Sequence, residues 1–273
     1  MMAHVLLYLL ALAGAIVIGL VLARVMSRRY PTGPFDYKNG EWLKVKDVVS
    51  LCGTLVALLL AFMLVQTYGS FQRAETHSAT EAGVVDAQYQ AAGLLGASDR
   101  DAVRGDLACY ARSVAELEWV TMRDDESSPT VDGWRDQLQS DISTAAGTDP
   151  DLLSLSDLVV LQTELTGARD ERLAETAPAI PQSITWLIET TTLLVLILLI
   201  SFTWHFRRLP RLMVIITVAL LYLLMVGGIR DLDTPFSGAA HIAPTRMQDT
   251  IARMDATDNG AATPCDADGV PTT

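Results

Sequence analysis

The sequence lacks the residue patterns that catalysis and metal binding usually need. Its four histidines and three cysteines are scattered, so none of them has the spacing of a zinc site. A glycine-rich loop that could cradle a phosphate is missing as well. We therefore expect no enzymatic activity, no cofactor and no metal site.

Charged residues are few and are nearly absent from four long stretches of the chain. Half of the residues (50%) are hydrophobic and only 19% are charged. Each stretch is about 18–23 residues long, and a helix rising about 1.5 Å per residue needs about 20 residues to cross a hydrocarbon core. The sequence therefore predicts four transmembrane helices, at Ala3 to Ala23, Val48 to Tyr68, Ile184 to Phe206 and Leu212 to Ile229.

Basic residues are absent ahead of the first stretch, and this absence bears on orientation. Lysine and arginine in short loops favour the cytoplasmic side of a membrane. The missing charge and the length of the first stretch also argue against a cleaved signal peptide. We expect a multi-pass protein of the cell membrane, with both termini and the long middle segment outside the cytoplasm. The basic residues of the two short connections are Arg24, Arg28, Arg29, Lys38, Lys44, Lys46, Arg207, Arg208 and Arg211.

The predicted fold class is all-α, with a helical bundle inserted between the second and third membrane helices. Residues 1–68 form the first helix pair with its basic connector, and residues 181–230 form the second pair. Residues 69–180 form an acidic extramembrane domain. Residues 231–273 follow the last helix, and from Asp255 their content of Ala, Asp, Thr and Gly predicts disorder.

The inserted domain is acidic and carries apolar stripes. It holds 21 acidic residues against 8 basic ones. Apolar residues three and four apart, such as Val103, Leu107 and Tyr110, predict amphipathic helices that pack as a bundle of three or four. Association between subunits is an alternative use of such stripes. The acidic surface is either simply solvated or concentrates cations near a pore.

The three cysteines leave one question open. Cys52 lies within the second predicted span, where it fits a small packing residue. Cys109 and Cys265 both face the oxidising side in the predicted orientation. The sequence does not fix their separation, so pairing remains an alternative to two free thiols.

Small residues recur every fourth position in the first two spans. Such a strip lets another helix approach closely, because packing rather than the hydrophobic effect drives association in lipid. Helix contact competes here with chance, since alanine and glycine are common in membrane helices. The residues are Ala11, Ala15, Gly19 and Ala23 in the first span and Gly53, Ala57 and Ala61 in the second.

Four residues of the spans are candidates for lining a pore. Glu189 is the only charged residue within the predicted spans, so it marks either an ion pathway or a polar anchor near the membrane surface. Gln66 and Thr67 lie in the outer half of the second span, beyond Phe62. Phe62 fits an apolar constriction if this helix lines a pore and ordinary helix packing if it does not.

Four segments occur in a fixed order between about Val48 and Pro244. In order, they are Leu58-Leu59-Leu60-Ala61-Phe62 continuing to Ala79-Thr80-Glu81-Ala82, then Tyr110-Ala111-Arg112 running to Glu116-Leu117-Glu118-Trp119, then the pair Arg169 and Arg172, and finally Asp231-Leu232-Asp233-Thr234-Pro235-Phe236-Ser237-Gly238. Together they resemble the bestrophin-like membrane proteins, a family of uncharacterised function.

This resemblance implies two pairs of membrane helices around a helical insertion, similar to bestrophins, which are pentameric anion channels. The expected partners are the lipid bilayer, further copies of the chain and small ions, and no nucleic acid. Bestrophins keep their helical domain in the cytoplasm, opposite to the orientation predicted here. The alternative is a non-conducting scaffold or sensor whose acidic outer domain binds a partner. The family-motif residues are Glu81, Glu118, Trp119, Arg169, Arg172, Asp233, Pro235 and Phe236. We expect Pro235 and Phe236 to pack at the base of the domain. For Glu118, Trp119, Asp231, Asp233 and Phe236 we expect structural roles, the alternative being contact with a ligand.

Overall fold

The computed structural model describes residues 2–29, 41–148, 153–202, 208–258 and 263–272. Within these ranges the chain is helical apart from its loops and an isolated β-bridge between Cys265 and Pro271. The part of the predicted basic connector around Lys38 and the basic residue Arg207 lie outside the described residues. The α-helices are α1 (Met2–Arg29), α2 (Glu41–Ala92), α3 (Ala97–Ser113), α4 (Trp119–Thr121), α5 (Pro129–Thr148), α6 (Leu153–Ala174), α7 (Gln182–Phe202), α8 (Arg208–Leu232) and α9 (Thr245–Asp258).

Four of these helices are long and apolar enough to cross a membrane. Their candidate spans are Leu9–Arg28 in α1, Ser50–Ala92 in α2, Gln182–Ser201 in α7 and Arg208–Leu232 in α8. The prediction of an all-α protein with four membrane helices is therefore confirmed. Continuity of α2 over 52 residues follows from its sequence, which has no proline to interrupt the helix.

The described residues divide into two compact units. Unit 1 comprises Met1–Thr67 and Ile180–Arg230, and unit 2 comprises Tyr68–Ala179 and Asp231–Thr273. In unit 1, α1 packs along α7. A small apolar core joins these two helices to α8 through Leu12, Ala15, Leu196, Ile200, Tyr222 and Val226.

The small residues of α1 lie where this helix meets α7. Ala15 and Ala23 are buried, Ala11 is half-buried, and Gly19 is buried against Ile200. The strip in α2 is placed differently. Ala57 and Ala61 are exposed within unit 1, and a Cβ on Gly53 has no described atom within 4 Å. Among the described residues, the α1 strip therefore takes part in a close helix contact and the α2 strip does not.

Replacing Gly19 with alanine is expected to weaken the contact between α1 and α7. A Cβ at this position lies 2.8 Å from the Cβ of Ile200 and 3.3 Å from the carbonyl oxygen of Ile197, so the helices must separate. Overpacking of this kind costs about 1–3 kcal/mol. The measurement is thermal unfolding of the purified protein in detergent. Gly14→Ala is the matched control, because that Cβ meets no described atom within 4 Å, and an equal loss in both variants contradicts the prediction.

Unit 2 is a helical bundle with one apolar core. The core draws Val85 and Tyr89 from α2, Leu107 from α3, Leu138 from α5 and Leu165 from α6. Phe236, Met247 and Met254 join the same core. Residues after the last membrane helix are thus part of this bundle rather than a separate segment.

The end of the chain is folded where the structure describes it, which corrects the expectation of disorder from Asp255. Helix α9 continues to Asp258, and residues 263–272 return to α3. Cys265 forms a disulfide with Cys109, with their Cα atoms 5.7 Å apart. Gly269 has a φ of +79° and lies so close to the backbone of Ser113 that a Cβ cannot fit. A covalent bond and this close approach hold a segment that has few large apolar residues of its own.

Candidate functional site

Two arginines and two glutamates meet in the interior of unit 2. Arg169 and Arg172 are three residues apart and therefore project from the same face of α6. The guanidinium of Arg172 is fully buried, and it donates to the carboxylates of Glu81 on α2 and Glu118 next to α3. Family-motif residues from three separate segments of the sequence thus form one cluster.

Arg169 extends this cluster toward α5. Its Nη2 donates to Glu118 Oε1 at 2.5 Å, and its Nη1 donates to Asp132 Oδ1 at 2.7 Å. Glu118 also accepts the backbone N–H of Ser128 at 3.2 Å. Glu118 is therefore bound by both arginines and by the turn that precedes α5.

A short π-helix brings Glu118 to this position. Residues Val114–Glu118 form the π-helix, directly after α3. In an ideal α-helix, Tyr110 and Glu118 are about 80° apart around the axis, because each residue turns about 100°. The wider turn accommodates roughly one extra residue, which leaves only about 20° between them. Both side chains consequently face the arginines, and the hydroxyl of Tyr110 donates to Glu81 Oε1 at 2.6 Å.

Glu118 and Arg172 each stabilise the charged form of the other. Burial on its own raises the pKa of Glu118, but Arg172 and Arg169 outweigh this effect and hold the pKa below its ordinary value. Burial lowers the pKa of Arg172, and the charges of Glu81 and Glu118 more than offset it. The ion pairs of this network join helices α2, α5 and α6.

The loop after α8 closes over the side of this cluster. Asp231 accepts the backbone N–H groups of Ala239 and Ala240. Phe236 is buried and makes an edge-to-face contact with Trp119, with ring centroids 5.6 Å apart. The indole of Trp119 donates to the carbonyl of Ile242 at 2.8 Å, and its ring lies 5.3 Å from the guanidinium carbon of Arg172.

The remaining motif residues also lie in this loop. Pro235 is buried and Asp233 is half-buried. Gly238 is required by its surroundings, since a Cβ there lies 2.6 Å from the backbone oxygen of Asp231. The loop therefore fixes the position of Phe236 through backbone contacts on both sides.

The pore candidates of unit 1 lie on different faces of their helices. Phe62 is 65% exposed and Gln66 is also exposed. Thr67 is buried, and its hydroxyl donates to the carbonyl of Met63 in the same helix. Glu189 is buried on α7 and accepts Arg230 Nη2 at 3.1 Å. The structure thus brings Glu189 to an arginine of α8 and leaves Phe62 on an open face.

Two partners of the buried cluster, Ser128 and Asp132, were missed by sequence analysis because they carry no pattern of their own. Tyr110 lies in a motif, but its bond to Glu81, 29 positions away, could not be predicted. Asp106, which is buried on α3, could have been recognised from the sequence. It follows Val103 by three residues and therefore lies on the apolar face of this helix, where a carboxylate is unusual.

Comparison with known proteins gives consistent results. The model of the Bestrophin-like domain matches residues 5–247. A bacterial bestrophin homologue from Klebsiella pneumoniae superposes with a TM-score of 0.68 at 17% identity, covering 93% of this chain and 99% of that one. A single-residue variant of that homologue gives a TM-score of 0.67 at 17% identity, covering 92% and 98%. No curated protein matches.

Proposed function

Because this chain belongs to the bestrophin-like family, we propose that it forms an oligomeric ion channel in the cell membrane, with α2 of each copy facing a central axis. The fold is shared with bacterial bestrophin homologues over nearly the whole chain. A pentamer is the assembly that the resemblance to bestrophins implies. The proposal needs a face of α2 that the rest of the chain leaves free.

An exposed apolar stripe on α2 carries this proposal. Its residues are spaced alternately by four and three positions, which keeps them on one side of the helix. The opposite side is buried within unit 1 through Val56, Met63 and Thr67. A stripe with this spacing suits contact with symmetry-related copies or the lining of a narrow pore. The residues are Leu51, Leu55, Leu58, Phe62 and Val65, each between 55% and 72% exposed.

The charge of the protein bears on which ion passes. The resemblance to bestrophins favours anions. The segment 69–180, with 21 acidic and 8 basic residues, concentrates cations and repels anions at its surface. The reversal potential across a bilayer with asymmetric salt distinguishes the two selectivities.

Two observations support placing unit 2 and both termini outside the cytoplasm. Lysine and arginine crowd the two short connections, which favours a cytoplasmic position for those connections. Within unit 2, Cys109 and Cys265 form a disulfide, a bond that is typical of oxidising compartments and rare in the cytoplasm. This placement is the reverse of that in bestrophins.

Recording from purified protein in planar bilayers tests the channel. We expect Phe62→Ala to raise the single-channel conductance several-fold, because it removes the bulkiest side chain of the stripe. Leu64→Ala is the matched control, since Leu64 lies off the stripe on the same helix. Equal conductance in the wild type and both variants contradicts the role of Phe62.

A non-conducting scaffold is the second candidate function. It is favoured by the stripe itself, in which every residue from Leu51 to Val65 that we assign to the axis is apolar. Absence of current from folded, oligomeric protein across several salts supports the scaffold and overturns the channel. Current that Phe62→Ala alters excludes the scaffold.

A further inference from the structure

Two aspartates face each other where α3 meets α5 in unit 2. Asp106 on α3 is only 4% exposed and lies beside Leu107 and one turn from Tyr110, both fully buried. Asp141 on α5 is half-buried next to Ile142 of the same apolar core. The contact between these helices is extensive, so the two carboxyl groups are held in place by the packing around them.

The two carboxyl groups cannot bond to each other if both are ionised. A hydrogen bond from Asp141 contributes to the raised pKa of Asp106, which lies in the packed interface of α3 and α5. Asp106 Oδ2 is buried and has no donor among the residues that the structure describes. Asp141 Oδ1 accepts from the amide of Gln137 at 3.1 Å. Ionised carboxylates only accept hydrogen bonds, so a bond between these two requires a proton on one of them.

We propose that Asp106 and Asp141 share one proton, and that this proton makes the contact between α3 and α5 a pH-sensitive element of unit 2. With the proton bound, the pair forms a hydrogen bond in the apolar core. Without it, two like charges adjoin each other and one of them is buried, which is costly. The proposal concerns unit 2 alone and holds whether or not the protein conducts ions.

The electrostatics of the site agree with this arrangement. Burial first, and then the hydrogen bond and the charge of Asp141, raise the pKa of Asp106 to about 7 from its ordinary value of 3.8. The folded state therefore binds this proton more tightly than the unfolded chain does. The contribution of the pair to stability declines as the pH rises from the ordinary value toward about 7 and is constant above it.

The other ionisable groups near Asp106 already have partners. Along α3, Tyr110 donates to Glu81, and Cys109 is in a disulfide and does not titrate. Helix α9 also packs on α3, where its Asp255 pairs with Arg112. From α5, Asp141 is the charged group that acts on Asp106.

Loosening the contact between α3 and α5 also affects the buried charge cluster, because both helices carry residues that bond to it. Helix α3 carries Tyr110, which binds Glu81, and α5 carries Asp132, which binds Arg169. A change in the separation of α3 and α5 therefore alters two bonds of the cluster. A proton on one aspartate pair thus controls how tightly the helices of unit 2 are held.

The test compares the pH dependence of thermal unfolding for the full-length protein in detergent, from about pH 5.5 to about pH 8, the range around the raised pKa. We expect the wild-type midpoint to fall by several degrees over this range. In Asp106→Asn the amide donates to Asp141 without a proton, so the midpoint is expected to stay high and the slope to decrease. Asp136→Asn, an exposed position on α5, is the matched control and retains the wild-type slope.

The quantity that reports the aspartate pair is the wild-type slope minus the slope of Asp106→Asn, because the other ionisable groups are common to both proteins. Equal slopes overturn the proposal. If Asp106→Asn does not fold, infrared spectroscopy of the wild type replaces it. A protonated-carboxyl band that disappears between about pH 6 and about pH 8 in the wild type and is missing from Asp141→Asn supports the shared proton, and an unchanged band in Asp141→Asn overturns it.

Discussion

Replacing Arg172 with methionine is expected to destabilise unit 2 by about 3–5 kcal/mol. The guanidinium of Arg172 is fully buried and bonds to both Glu81 and Glu118. Among the described residues, its removal leaves Glu81 with the hydroxyl of Tyr110 and leaves Glu118 with Arg169 and a backbone N–H. Hydrogen–deuterium exchange measured peptide by peptide checks the prediction, because faster exchange in α3 and α6 reports the opening of this unit.

Two further variants identify the cause of that loss. Arg73 pairs with Glu175 but is 55% exposed, so Arg73→Met is expected to cost at most about 1 kcal/mol. The double variant Arg172→Met with Glu81→Leu removes the orphaned charge and is expected to recover most of the stability. Failure of the double variant to recover indicates lost packing rather than an unpaired carboxylate. Wild-type exchange in Arg172→Met contradicts the prediction itself.

The membrane helices could be predicted from the sequence because their signal is local. Each span is a run of apolar residues long enough to cross a bilayer, and no distant contact is needed to recognise it. The buried cluster differs, since Glu81 and Arg172 are 91 positions apart. The motifs marked these residues one by one. Their meeting depends on packing between helices and on the π-helix at Val114–Glu118, whose extra residue no periodicity reveals.

For the C-terminal segment, the prediction of disorder from local composition was wrong. A stretch poor in large apolar residues normally stays disordered because it cannot bury enough surface. Here Gly269 lies against α3, its carbonyl accepts the indole N–H of Trp134 at 2.7 Å, and Cys265 is bonded to Cys109. The segment is buried by partners that lie more than 100 positions away in the sequence. The composition of the segment itself gives no sign of these partners.

Removing the disulfide is expected to destabilise unit 2 by about 2–5 kcal/mol. The bond joins residues 156 positions apart and therefore restricts a long loop of the unfolded chain. Thermal unfolding of Cys109→Ser, compared with the wild type with and without a reducing agent, measures the effect. Cys52→Ser is the matched control because Cys52 is a free cysteine. A variant as stable as the wild type in its oxidised form contradicts the prediction.

The same disulfide allows the orientation to be tested in cells. If unit 2 faces an oxidising compartment, thiols alkylated in intact cells before lysis include Cys52 but not Cys109 or Cys265, because those two are bonded. Reduction before alkylation is then expected to add two labels, which mass spectrometry counts. Labelling of all three cysteines without reduction places unit 2 in the cytoplasm, as in bestrophins. In that case the acidic residues of segment 69–180 are cytoplasmic, and the basic connections become the outer ones, against the usual charge bias.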